Sequence, residues 1–256
     1  MKELHSLDND GKQFKDEVNA WVKSVGVTGH PHLINLLATW RQNQRWYLLF
    51  PWAKGGNLRD LWDRPDILRP DPTLAKWIAK QCLGIARALR KIHRIGSEEL
   101  QDMNPFCGIH GDIKPENVLV FEAADEKHGT LKICDFGFTR FHTLASRSTA
   151  DLPGYTPTYR APEYDIYKRV STAYDIWTLA CLYLEFITWY LTGPKGLYEF
   201  ETSRIAEDRG EHVKMDKFFV CASINQIDQL GAIIKPCVLK VSYQQSCSLS
   251  IFLPTD

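Results

Sequence analysis

The sequence has no excess charge of either sign, since its 31 Lys and Arg side chains balance 31 Asp and Glu. A nucleic-acid binder needs clustered positive charge for its phosphate contacts, so we expect no nucleic-acid partner. The seven cysteines contain no Cys-x-x-Cys pair and are odd in number, which argues against a zinc site and a disulfide framework. Residues 1–25 are too charged for a signal peptide. These absences predict an intracellular, cytoplasmic protein.

The sequence also lacks an uninterrupted apolar run of membrane-spanning length. The closest approach is Ile176–Leu191, which contains Glu185. A charge at the bilayer centre costs roughly 3 kcal/mol on insertion scales. We therefore expect a helix buried inside a large domain and no membrane partner.

The chain of 256 residues is long enough for one large domain or two small ones. Periodicity and turn residues predict a mixture of helices and strands. The helices are predicted at 12–24, 57–62, 74–95 and about 174–191, with a weakly helical stretch over 194–218. The strands are predicted at 32–40, 45–53, 118–121 and 131–136, and residues 137–170 as a long irregular segment.

Three short motifs carry the chemistry, and their order and spacing make them specific. They are His-Gly-Asp-Ile-Lys-Pro-Glu-Asn at 110–117, Asp-Phe-Gly at 135–137 and Ala-Pro-Glu at 161–163. Phosphoryl transfer needs a carboxylate near the acceptor hydroxyl, positive charge near the transferring oxygens and oxygen ligands for Mg²⁺. One loop with a carboxylate, a cation and an amide, followed by a second carboxylate at a strand end, can supply all of these.

These motifs resemble those of eukaryotic protein kinases of the serine/threonine type over about residues 1–220. The phrases HPHLINLLATW, FPWAKGGNLRDLW and HGDIKPENVLVF are similar to predicted kinases of filamentous fungi. The resemblance implies an α+β fold with a small N-lobe over 1–53, consisting of a helix and a hairpin, and a mainly helical C-lobe over 54–221. It leaves 222–256 as a tail of unknown role.

The resemblance implies an enzyme that transfers phosphate from Mg-ATP to a Ser or Thr hydroxyl of a protein. Asp112 matches the catalytic aspartate that accepts the hydroxyl proton, and Lys114 the lysine that neutralises the γ-phosphate. Thr156 matches the threonine that touches both. Asn117 and Asp135 match the two magnesium ligands. The sequence does not indicate an oligomeric state.

The cofactor is implied to be ATP, held by the N-lobe and the segment after it. Phe50 falls at the gatekeeper position, and Pro51, Trp52 and Ala53 lie in the hinge that contacts adenine. Glu17 lies on the apolar stripe of helix 12–24 and matches the glutamate that pairs with a strand lysine. Lys2 is the candidate for that lysine, and the alternative is that Lys2 is an ordinary solvated lysine.

The sequence departs from the kinase pattern at both ends. It contains no Gly-x-Gly-x-x-Gly, and Gly55-Gly56 lies after the hinge. No arginine follows Arg209, although the Ala-Pro-Glu glutamate of kinases pairs with an arginine near the end of the C-lobe. We therefore expect a kinase domain incomplete at the N-lobe and at the C-terminus. Two function classes follow, an active kinase and a catalytically impaired, pseudokinase-like binding module.

Gly111 stands where kinases usually carry an arginine that binds activation-loop phosphate. Phosphomimetic substitution of Ser146, Ser148 or Thr149 is therefore expected to leave the phosphotransfer rate within about twofold, because no guanidinium receives the new charge. Steady-state kinetics of the three Glu variants check this. A large rate change would contradict it.

Overall fold

The computed structural model describes residues 1–4, 12–25, 29–67, 72–94, 106–143, 156–208, 214–223 and 230–250. Over these ranges the chain combines helices with small antiparallel sheets, which confirms the α+β class. It divides into two compact units, Met1–Leu61 with Lys76–Ser148, and Trp62–Ala75 with Thr149–Asp256. The lobe boundaries at 53 and 221 stay a prediction.

The secondary structure elements follow one another along the chain with these bounds. They are β1 Lys2–Leu4, α1 Lys12–Val25, β2 Ala38–Gln42, β3 Arg45–Leu49, α2 Leu58–Trp62, α3 Pro72–His93, β4 Phe106–Ile109, β5 Val118–Ala123, β6 Glu126–Ile133, β7 Arg140–Thr143, α4 Pro162–Tyr167, α5 Thr172–Ala206, β8 Phe219–Ser223, β9 Leu230–Ile234 and α6 Pro236–Ser250.

The first sheet has the order β1-β3-β2, and one of its faces packs on α1. The predicted hairpin is present but shorter, since its strands cover only 38–42 and 45–49. The apolar residues before it bond elsewhere: Ile34 N–H donates to Ile133 O at 3.0 Å and Ile133 N–H donates to His32 O at 2.9 Å. The apolar run from His32 therefore joins the end of β6 instead of extending the hairpin.

Helix α3 lies against the β5–β6 hairpin and fixes its position. Trp77 Nε1 donates to Gly129 O at 2.7 Å, and Gln81 Oε1 accepts from Leu131 N–H at 2.9 Å. The apolar residues that recur at helical spacing along this helix are buried, namely Leu74, Ile78, Ile85, Leu89 and Ile92. This packing holds the loop between β4 and β5 and the residues after β6, where two of the sequence motifs lie.

The second unit is built around α5, which is longer than the predicted helix 174–191. Gly193 has φ +72° in the middle of the element, and Pro194 follows it. The glycine allows a sharp change of direction, and proline is tolerated in the first turn of the helical stretch that continues to Ala206. None of the helices in the described part of the chain combines the length and apolarity that crossing a bilayer requires.

The prediction of one long irregular segment was wrong. The stretch 137–170 contains strand β7 and helix α4. The residues left without a role, 222–256, contain the end of β8, strand β9 and helix α6, and Cys237 and Val238 of α6 join a buried cluster with Phe200 of α5 and Phe218. The tail contributes core residues to the second unit, so it is an integral part of that unit.

Replacing Arg204 by Met is expected to reduce the free energy of unfolding by about 3–5 kcal/mol, since it leaves the buried carboxylate of Glu185 without its cation. Arg204 and Glu185 are both 1% exposed and lie 2.7 Å apart. Urea unfolding measures this. Lys195→Met, at a side chain that is 88% exposed, is the control and should change stability by less than roughly 0.5 kcal/mol. Equal effects of the two variants would contradict the prediction.

Candidate active site

The loop from His110 to Asn117 connects β4 to β5 and ends in a single 3-10 turn at Pro115–Asn117. The Asn117 side-chain amide donates to Asp112 O at 2.9 Å and to Asp112 Oδ2 at 2.8 Å. Asp112 is 6% exposed. The two bonds hold the carboxylate of Asp112 in one orientation, and they leave Asn117 Oδ1 available as an acceptor.

Lys114 contacts the same carboxylate oxygen. Its Nζ lies 2.8 Å from Asp112 Oδ2. Among the described residues, the contacts from Asn117 and Lys114 to the Asp112 carboxylate both fall on Oδ2.

The ring of His110 contacts both Asp112 in this loop and Cys134, the residue before the second motif. Its Nδ1 accepts from Asp112 N–H at 3.3 Å, and its Nε2 lies 3.1 Å from Cys134 O. Nδ1 is thus the side of the ring that accepts, and Nε2 is the side that faces Cys134 O. The ring also packs edge-on against Phe136, with centroids 5.4 Å apart. His110 thus packs and bonds as a supporting residue for Asp112.

Asp135 follows β6 with φ +65°, a left-handed conformation that Asp tolerates better than most residues. Its Oδ1 accepts from Lys2 Nζ at 2.7 Å and from Gly137 N–H at 3.2 Å. Burial alone would raise the pKa of Asp135, but the Lys2 ammonium and the Gly137 amide outweigh burial and lower it. Asp135 is therefore ionised at neutral pH.

Lys2 also forms the ion pair expected with Glu17, at 2.8 Å from Oε1. Glu17 is 3% exposed, and its Oε2 has no hydrogen-bond partner among the described residues. Burial raises the pKa of Glu17 despite the nearby ammonium. Burial opposes the charged form of Lys2, but the two carboxylates prevail and raise its pKa. The alternative of a solvated lysine does not hold in this structure.

The two carboxylate partners of Lys2 line a cavity of about 340 Å³. The other residues of the cavity wall include the predicted adenine-contacting positions Phe50, Trp52 and Ala53, together with Asn117. Trp52 exposes 83% of its surface. The structure thus brings seven predicted site residues to one cavity. Asp112 lies next to this wall because it bonds to Asn117, and Lys114 contacts Asp112. Thr156 is a half-buried residue of the second unit.

Sequence reasoning missed part of this wall. Asn57 and Asp60 line it and cap α2 reciprocally: Asn57 N–H donates to Asp60 Oδ2 at 2.8 Å, and Asp60 N–H donates to Asn57 Oδ1 at 3.0 Å. The Asn-x-x-Asp spacing was a detectable capping signal. Gly55 and Gly56 do not offer their amides to a ligand, since these donate to Val120 O and Ala53 O at 3.1 Å.

Residues Ser146, Ser148, Thr149 and Arg209 fall outside the described ranges. Glu163 of the Ala-Pro-Glu motif has a buried Oε1 without a hydrogen-bond partner in the described part of the chain.

An α+β fold that carries these three motifs is that of a protein-kinase-like domain. The model of the protein kinase domain family matches residues 1–217, so the chain belongs to that family.

Curated relatives and solved structures agree with this family. The chain is 33% identical to rabbit (Oryctolagus cuniculus) cyclin-dependent kinase-like 2 over 70% of its length, and 30% identical to human cyclin-dependent kinase-like 4 over 62%. It is 26% identical to the Arabidopsis thaliana serine/threonine-protein kinase ATG1c over 73%. It covers 28%, 36% and 23% of these proteins.

Among solved structures, a chain of the yeast RNA Pol II CTD kinase CTDK-1 complex matches with a TM-score of 0.53 and 23% identity. The match covers 73% of this chain and 53% of the other. It confirms the kinase-like fold.

Asp135→Asn is expected to lower the free energy of unfolding of the first unit at neutral pH. The decrease should be smaller in acid. The pKa of Asp135 is lowered below its ordinary value of 3.8, so its stabilising effect is complete above about pH 5 and disappears as the pH falls through the lowered folded pKa. Urea unfolding at about pH 7, 5 and 3 measures the difference. Asp125→Asn, at an exposed turn carboxylate, is the control. A difference that widens toward pH 3 would contradict the prediction.

Proposed function

We propose that this chain is an ATP-dependent protein serine/threonine kinase that transfers a phosphoryl group from Mg-ATP to a protein hydroxyl. The observation that carries the proposal is the Lys2 ammonium, which contacts Glu17 at 2.8 Å and Asp135 at 2.7 Å in the wall of a cavity shared with Asn117. An ammonium held by two carboxylates on separate elements is pre-oriented to meet a phosphate.

The donor atoms fit a magnesium nucleotide. Asp135 offers a carboxylate and Asn117 an amide oxygen, the ligand types that Mg²⁺ takes together with substrate phosphates. No group of three or more His, Cys, Asp or Glu side chains suited to a metal occurs among the described residues. This agrees with a metal that depends on phosphate oxygens for the rest of its coordination.

The proposed roles follow from the contacts. Lys2 binds phosphate oxygens and Glu17 orients it. Phe50, Trp52 and Ala53 bind the adenine. Asp112 orients the acceptor hydroxyl and takes its proton on Oδ1, while Asn117 fixes the carboxylate.

Two further residues complete the proposal. Lys114 neutralises charge near the transferring group, and Thr156 keeps the catalytic role that its motif position implies. When bound, magnesium neutralises phosphate charge during the transfer.

Action on intracellular, cytoplasmic proteins is part of the same proposal, and fluorescence microscopy of the tagged protein tests it.

One observation favours the alternative of a pseudokinase-like binding module. The sequence has no Gly-x-Gly-x-x-Gly, and the amides of Gly55 and Gly56 are already bonded. Without such a loop, the phosphates lose backbone N–H contacts. The two functions differ in catalytic turnover. The variants Asp135→Asn and Asp112→Asn therefore distinguish them.

Mg-ATP is expected to raise the melting temperature of the wild-type chain. A ligand at about a hundred times its dissociation constant stabilises the folded state by roughly 2.7 kcal/mol. Asp135→Asn should lose this response, because it removes a carboxylate ligand, and Asp125→Asn should keep it. Thermal unfolding with and without Mg-ATP measures both. No response in the wild type would contradict nucleotide binding.

Asp112→Asn is expected to keep the Mg-ATP stabilisation and to lower phosphotransfer to a mixed Ser, Thr and Tyr peptide library by roughly 10²–10⁴-fold, the usual contribution of acid-base catalysis. Phosphoamino-acid analysis of the products identifies the acceptor. Stabilisation without turnover in the wild type would favour the binding module. Phosphotyrosine as the main product would contradict serine/threonine specificity.

A further inference from the structure

The turn at 30–33 holds the end of β6 through His32. The Nδ1 atom of His32 lies 2.7 Å from Leu131 O, and because a carbonyl oxygen only accepts, Nδ1 is the donor. The backbone O of His32 accepts from Ile133 N–H at 2.9 Å, and Ile34 N–H donates to Ile133 O at 3.0 Å. Ile133 is the last residue of β6, two positions before Asp135. His32 thus contacts the strand that leads to Asp135 with both its side chain and its backbone.

The other edge of the His32 ring lies against α3. A Cβ added at Gly84 would overlap Nε2, Cε1 and Cδ2 of His32, so a side chain at position 84 would displace the ring. Glycine inside a helix is less favourable than alanine, and here it makes room for the histidine. The ring is therefore held between α3 and β6, and Nε2 is the nitrogen that takes up a second proton in acid.

His30 closes the turn on the same side. Its Nδ1 accepts from His32 N–H at 3.1 Å, and the two ring centroids lie 6.0 Å apart. Lys91 of α3 donates to Gly29 O at 2.7 Å and holds the residue before the turn. A proton on His30 Nδ1 would occupy the lone pair that accepts from His32 N–H, so the closed turn needs His30 in its neutral form.

The charged side chains that face the two rings from the neighbouring elements are cations in the described part of the chain. They are Lys80, Arg87 and Lys91 of α3 and Lys132 of β6. Lys80 is also paired with Glu126, at the start of β6. A proton added to either ring therefore places a new positive charge among existing ones.

The surroundings keep both rings neutral near pH 7. Burial lowers the pKa of His32, the hydrogen bond to Leu131 O opposes this effect, and Lys132 and Lys80 add to the lowering. Burial is also the main reason why the pKa of His30 is lowered, and the neighbouring ring and the cations of α3 contribute. Acid therefore acts on the turn from a neutral starting state.

We propose that His32 is a positioning residue for Asp135, and that the turn at 30–33 is an acid-sensitive clamp on the end of β6. With neutral rings the clamp is closed, and β6 presents Asp135 to the cavity. A proton on His32 Nε2 or His30 Nδ1 opens the clamp, and the end of β6 loosens. Its effect on Mg-ATP binding rests on the proposed kinase function, whereas the clamp itself does not.

His32→Asn tests the clamp, because asparagine places a nitrogen donor where Nδ1 lies but cannot titrate. Between about pH 7.5 and 5.5, the unfolding equilibrium constant of the first unit is expected to rise roughly three- to tenfold more in the wild type than in the variant. The sign follows from the lowered pKa of His32: below about pH 6.5 the unfolded chain takes up a proton that the folded chain does not. Urea unfolding measures this.

His93→Asn is the matched control, since it removes a histidine in the last turn of α3. It should keep the pH dependence of the wild type. Equal pH dependence of the wild type and His32→Asn would overturn the clamp.

Mg-ATP binding tests the positioning role. Over the same pH interval, the Kd measured by calorimetry is expected to rise roughly three- to tenfold more in the wild type than in His32→Asn. Asp135 is present in both proteins, and its pKa lies below 3.8, so its own titration does not produce this difference. An equal rise in the two proteins would mean that His32 does not position Asp135.

Hydrogen exchange of the wild type needs neither ligand nor variant. Protection factors, which remove the chemical effect of pH on exchange, are expected to fall between about pH 7.5 and 5.5 more in 130–135 than in 106–109. A wild type that binds no Mg-ATP at either pH would overturn the proposed function, and exchange would then decide on the clamp alone. Unchanged protection in 130–135 would overturn the clamp.

Discussion

The ammonium of Lys2 organises the first unit. It meets Glu17 of α1 and Asp135 after β6, residues 15 and 133 positions away in sequence. Glu17 is 3% exposed, and removing a carboxylate from water costs several kcal/mol, which only short and well-oriented contacts offset. The strand, the helix and the end of β6 must therefore meet within one side-chain length. Phe14 and Leu48 bury the apolar contact between α1 and the sheet that makes this possible.

The second unit also pairs its buried charges, and it does so through a larger network. Arg204 and Lys235 share a buried environment with Glu185, and every one of these charges has a partner within hydrogen-bond distance. A buried charge is tolerated when its partners are in place before water is excluded, so such networks favour one arrangement of the chain over its alternatives. Both units thus contain polar groups placed within apolar packing.

The sequence predicted α3 and the motif loop well because their signals are local. The apolar stripe of α3 repeats at helical spacing, and Asp112, Lys114 and Asn117 lie within six residues. Sequence analysis failed where the hydrogen-bond partner of a residue is distant in sequence. The run from His32 is apolar enough for a strand, but its hydrogen bonds go to Ile133. In the tail, Lys235 occupies a buried position, where a charge is atypical of a core element. The sequence does not show that Arg204 O accepts a hydrogen bond from this lysine.

The cavity beside Lys2 also has an electrostatic preference. Its wall carries the ammonium of Lys2 against the acidic side chains of Glu17, Asp60 and Asp135. A free polyphosphate entering this space would meet more negative than positive side chains, and in a partly enclosed site such repulsion is poorly screened. A polyphosphate that arrives already paired with a divalent cation avoids most of this penalty. For the proposed nucleotide, this wall would favour the metal-paired form over the free form, a selectivity that needs no contact with the base or the sugar.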